Sequence, residues 1–175
     1  MATVSRSRRA ASGIAFIVAG ALVALAAILP LLNVSVSWMW VLAYAALAVA
    51  FGILGFGAVN NTVAKICLIA AMVGWGLLAL VGLGLGLPGV IATIAAILAG
   101  LGGLIGAIVL YVGKEITNMA AVAFIVATAL GLIVLLGSPL GVFSLGSTLA
   151  LIVVLLFAAA LIVTGVLFRR PEGRR

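Results

Sequence analysis

Few side chains in this sequence could do chemistry, and their types and spacing limit which reactions are open. The only carboxylates are Glu115 and Glu172; there is one cysteine, Cys67, and no histidine. General acid–base or nucleophilic catalysis needs such groups within reach of one another, and a transition-metal cage needs several of them together. Two glutamates far apart in the chain and a lone thiol provide neither. No catalytic residue, metal site or cofactor is expected, and the chain reads as a non-enzyme. Glu115 follows Lys114, and Glu172 lies among Arg169, Arg170, Arg174 and Arg175, so ion pairing or plain solvation accounts for each. Cys67 reads as a small apolar residue, and a single cysteine closes no intrachain disulfide.

Gly84-Leu85-Gly86-Leu87-Pro88-Gly89 fits the G-x-G-x-x-G pattern of dinucleotide-binding turns. That fingerprint needs a preceding strand, a following helix and an acidic residue about twenty positions on. No acidic residue occurs before Glu115, so the segment reads as a turn. The remaining polar candidates are Thr93, Thr128 and Thr164, with Tyr44 and Trp75, all inside long apolar runs. Threonine hydroxyls in a helix bond the backbone of the preceding turn, and aromatic rings fill space between helices. Proton- or ion-coupled transport normally needs an ionisable group at membrane depth, which these runs lack.

The elements that would position these residues follow from composition. The chain has 175 residues, 68% hydrophobic and 6% charged, and its mean hydropathy is +1.60. A soluble domain is about half apolar and about a quarter charged, and one of this length could not bury so much apolar surface. Residues 10–64, 66–113 and 116–168 contain no Asp, Glu, Lys or Arg. A single helix of about 50 residues would be roughly 75 Å long, whereas a bilayer core is about 30 Å thick. Each stretch must therefore fold back once. Turn-forming residues sit near each midpoint: Pro30, Asn33, Ser35 and Ser37; Gly82, Gly84, Gly86, Pro88 and Gly89; Gly137, Ser138, Pro139, Gly141, Ser144 and Gly146.

The expected fold is all-α, a polytopic membrane bundle of six transmembrane helices in three tandem hairpins, forming one domain over residues 1–175. The expected spans are 12–32, 38–58, 64–83, 90–111, 118–136 and 147–168, between basic tails at 1–11 and 169–175. Lys and Arg mark the cytoplasmic side, and here they occupy only the tails and the two junctions at Lys65 and Lys114. Both termini are thus expected inside, with Trp38 and Trp40 at the outer interface and Tyr111 at the inner one. A cleaved leader over residues 1–26 competes with this reading, since Arg6–Arg9, the apolar run and Ala24-Leu25-Ala26 permit it. Against it, the apolar run continues to Leu32, and Ala15–Leu22 recurs as Ala123–Leu130 with one change, as a hairpin repeat would give.

The fourth span carries the clearest packing signal. On a helical wheel Ala92, Ala95, Ala96, Ala99, Gly100, Gly102, Gly103, Gly106 and Ala107 share one side. Ile94, Ile97, Leu98, Leu101, Leu104, Ile105 and Ile108 share the other. Small residues let helix backbones approach closely in lipid, so the first face is expected to meet other helices.

Three tandem hairpins with basic ends and a proline in each outer turn resemble the HdeD-like acid-resistance membrane proteins. The residues that carry the resemblance are Pro30, Pro88 and Ser138-Pro139-Leu140. The glycine-bearing closing segments Phe51-Gly52-Ile53-Leu54-Gly55 and Leu161-Ile162-Val163-Thr164-Gly165 add to it. The sequence departs from the family's Asn-Pro turns and from its tryptophans at the later hairpins. The resemblance implies a non-enzymatic, stress-linked protein of the bacterial inner membrane and supplies no catalytic motif.

The expected partners are the lipid bilayer, anionic headgroups at the basic tails, further copies of the chain and other membrane subunits. Nucleic acid is not expected, because the net charge of +7 is scattered rather than gathered on an aromatic-bearing face. Two other functions compete: a transporter or channel for a neutral or apolar permeant, and an accessory subunit of a larger membrane complex.

Overall fold

An apolar segment in lipid must satisfy every backbone N–H and C=O within itself, and a helix does so. The computed structural model describes residues 6–34, 37–137 and 147–169, and no strand occurs among them. It has α1 (Arg6–Ile28), α2 (Ser37–Gly57), α3 (Thr62–Gly82), α4 (Gly89–Val112), α5 (Asn118–Gly137) and α6 (Thr148–Arg169). All six are long and apolar enough to cross a membrane. Relative to the sequence spans, α1 begins at Arg6, because Arg is a good helix former and each Ser costs only about 0.5 kcal/mol beyond the apolar part. Ser35, Ser138-Pro139-Leu140, Gly141, Ser144, Gly146, Arg170, Glu172, Arg174 and Arg175 lie outside the described residues.

Local chemistry ends each helix. Pro30 sits in a 3-10 turn over Leu29–Leu32, and Asn33 follows in the left-handed region at φ 58°. There the Asn33 and Val34 amides donate to Pro30 O (3.1 Å) and Leu29 O (3.2 Å). The Asn61 side chain caps α3, accepting from the amides of Val63 (2.9 Å) and Ala64 (3.2 Å). Gly84 and Gly86, at φ +73° and +65°, reverse the chain between α3 and α4 in a conformation that L side chains rarely adopt.

Each helix packs against its sequence neighbours, and α6 returns against α1, so the six close into a ring of antiparallel helices. The seams are not equal. Between α1 and α6 the backbones touch: a Cβ at Gly20 would lie 2.8 Å from Ala158 O, and one at Gly13 would lie 2.6 Å from Gly165 O. Between α3 and α4, a Cβ at Gly74 would overlap Ala99 N, and one at Gly102 would lie 2.8 Å from Cys67 O. The seams of α5 are filled by side chains instead, Leu132 against Gly100 and Phe157 against Gly131. The last hairpin is therefore looser than the contact its second helix makes with α1.

The bundle keeps its charged ends together. Arg8 lies across Gly57, Glu115 bonds to Asn60 and Asn61, and Arg169 approaches Gly13. These contacts place the start of α1, the α2–α3 and α4–α5 junctions and the end of α6 at one end. Trp38, 57% exposed, stands at the other.

Candidate functional site

The interior of the ring is aromatic. Phe16 is fully buried and meets Phe51, Phe124 and Phe168 edge-on, with centroids 5.4, 5.5 and 5.9 Å away. Phe51 reaches across from α2 to Phe124 on α5 at 5.7 Å, and Trp75 stacks across from α3 on Phe157 of α6 at 6.3 Å. Trp40, Tyr44 and Trp75 continue the column, with spacings of 6.0 and 5.6 Å. Edge-to-face and offset contacts at these distances are favourable beyond the area they bury. The centre that a channel would keep open is thus occupied by rings.

A small cavity remains at mid-depth, lined by Phe51, Trp75, Thr128, Gly131 and Phe157 among others, with a volume of about 10 Å³ for the centre of a water-sized sphere. That is room for about one water. The Trp75 indole N–H has no hydrogen-bond partner among the described residues, although Trp75 is 3% exposed. The threonines are satisfied within their own helices. Thr128 donates to Phe124 O (2.9 Å) or Ile125 O (3.1 Å), Thr164 to Ala160 O (2.8 Å) and Thr93 to Gly89 O (3.2 Å).

Sequence reasoning missed two polar contacts. Ser12, fully buried, donates across the α1–α2 seam to Ala50 O at 3.0 Å. Among the described residues Glu115 bonds to backbone amides rather than to a neighbouring base, and it is half-buried. Its carboxylate accepts from the amides of Asn60 (2.9 Å) and Asn61 (2.7 Å), tying the two junction loops together. Because Asn61 caps α3, the negative charge also sits at the positive end of that helix. Arg9, unlike an ordinary flanking charge, is only 9% exposed. Cys67 is half-buried, and its carbonyl faces Gly102.

On α4, Ala95, Ala96, Ala99, Gly100, Gly103, Gly106 and Ala107 are buried, whereas Ala92 and Gly102 are half-buried. Ile94, Ile97, Leu101, Ile105 and Ile108 are exposed, and Leu98 and Leu104 half-buried. The small residues thus divide between two neighbours: Gly102 and Gly106 face α3, while Gly100 faces α5. The Gly84–Gly89 pattern forms the irregular α3–α4 connection, with a helix on either side and no strand before it. Among the described residues no three His, Cys, Asp or Glu side chains gather.

These features define an all-helical, multi-pass membrane protein with a closed ring and a filled centre. Comparison with known protein families, with curated proteins and with solved structures gives no match to this chain.

Proposed function

We propose that this chain is a non-enzymatic integral protein of a bacterial inner membrane that acts through its outer surface, on lipids and partner proteins. Both termini face the cytoplasm in this reading, because the charged end of the bundle holds every described Lys and Arg. The observation that carries the proposal is the aromatic column: Phe16, Phe51, Phe124, Phe168, Trp75 and Phe157 occupy the axis that a permeant would need. The stress association implied by the HdeD-like resemblance belongs to the same proposal. Proteoliposomes should release neutral solutes no faster than protein-free vesicles, and a strain lacking the gene should survive acid or envelope stress poorly while growing normally at neutral pH. Solute release at a protein-dependent rate would overturn the first part, and unchanged survival the second.

A pathway for a small neutral permeant is the second reading, supported by the Trp75 N–H, which has no partner among the described residues and lies beside the central cavity. Faster water permeation in wild-type vesicles than in Trp75→Phe vesicles would favour it. An accessory role would show as foreign subunits in stoichiometric amounts after gentle purification.

A further inference from the structure

At the charged end, the first turns of α1 and the last turns of α2 enclose an open groove of about 580 Å³, lined by Ser7, Arg8, Ala11, Ile53, Phe56 and Gly57. Its walls differ in a consistent way. Arg8 supplies an exposed guanidinium at the rim. Phe56, 65% exposed, together with Ile53 one turn earlier on α2, forms an apolar wall continuous with the outer surface of a membrane-spanning helix. Gly57 fixes the relation between the two. A Cβ there would overlap Arg8 Cδ and lie 2.6 Å from Nη1, so the missing side chain is what lets the arginine lie across α2. The one carboxylate among the described residues, Glu115, accepts from the Asn60 and Asn61 amides.

We propose that this groove binds one anionic phospholipid, its phosphate on the Arg8 guanidinium and an acyl chain along Ile53 and Phe56. A guanidinium presents paired donors to phosphate oxygens, and basic pockets between helices at the membrane surface suit such headgroups. The apolar wall beside the charge selects a lipid over free phosphate, which would leave Phe56 and Ile53 uncovered. This site rests on the reading that the protein works through its lipid-facing surface, and it names one lipid class and one place.

The test is a titration of the purified full chain with phosphatidylglycerol or phosphatidylcholine, bound lipid being counted by intact-complex mass spectrometry. Phosphatidylglycerol should be retained about five-fold more than phosphatidylcholine, the ratio expected for one basic residue at the surface. Arg8→Gln should bring the two lipids to equal retention. Lys114→Gln, which removes an exposed charge from the same end of the bundle, should leave the ratio unchanged. Gly57→Ala keeps every charge but displaces the guanidinium and should at least halve the ratio, which decides the matter if Arg8→Gln fails to fold. A ratio insensitive to both Arg8→Gln and Gly57→Ala, or reduced equally by Lys114→Gln, would overturn the site. That result leaves the surface-acting function standing, whereas protein-dependent solute release would count against that function and not against the groove.

Discussion

Gly74 and Gly76 lie two residues apart in α3 and should respond to alanine with opposite signs. Replacing glycine by alanine in a helix interior gains about 1 kcal/mol of helix propensity at either position. At Gly76 the new methyl meets nothing within 4 Å, so only that gain applies. At Gly74 it would overlap Ala99 N and lie 2.6 Å from Ala95 O and 2.8 Å from Ala99 Cα. These are backbone atoms, so no rotamer change relieves them, and α3 and α4 must separate by about 1 Å to restore ordinary contact. A gap of that size forfeits a quarter to a half of each contact of ~0.15 kcal/mol, or about 1.5–3 kcal/mol over roughly 40 atom pairs along the seam. Gly74→Ala should therefore be destabilised by about 0.5–2 kcal/mol net, and Gly76→Ala stabilised by up to about 1 kcal/mol. Reversible unfolding in mixed micelles, followed by circular dichroism, measures both. Equal stabilisation of the two variants would refute the backbone contact between α3 and α4.

Glu115→Gln should cost about 1 kcal/mol in the same assay, because an amide keeps one acceptor but loses the charge that assists both loop bonds. Gly103→Leu should destabilise by about 1–3 kcal/mol, since its Cβ alone would already stand 3.3 Å from Phe51 and Thr128, whereas Leu101→Ile on the exposed face should be nearly silent. Reporter fusions after Lys114 and at the C-terminus should both read as cytoplasmic, and an external signal from either would reverse the proposed orientation. Replacing Glu115 and Glu172 together by Gln should leave stress survival intact in cells, and its loss would show that a carboxylate of this chain takes part.

The six helices are legible in the sequence because length and charge leave few alternatives: runs of about 50 uncharged residues must turn once in a layer about 30 Å thick. The small residues of α4 are legible because so many share one side of the wheel. The seam of α1 with α6 is not, since its glycines, Gly13 and Gly20, recur only every second turn and their partners lie at the far end of the chain. The recurrence of Ala15–Leu22 at Ala123–Leu130 carries more than it first shows. Phe16 and Phe124 are equivalent within it, and both are fully buried, facing each other at the centre. Its single mismatch, Gly20 against Thr128, sets α1 and α5 apart: one admits a neighbouring backbone, and the other lines the central cavity. The partners of Glu115 are backbone amides, which have no side-chain signature for a sequence reader to find.

The closure of α6 on α1 also has a timetable. Gly13 and its partner Gly165 are separated by 152 residues, which a ribosome adds in roughly 8–30 s at 5–20 residues per second. Throughout that interval the glycine groove of α1 is already made while its backbone partner is still being synthesised. Whatever lies against Gly13 and Gly20 in the meantime, lipid or an insertion factor, must leave before α6 can seat. The order of synthesis thus leaves one of the two backbone-to-backbone seams of the bundle open until the last helix is made.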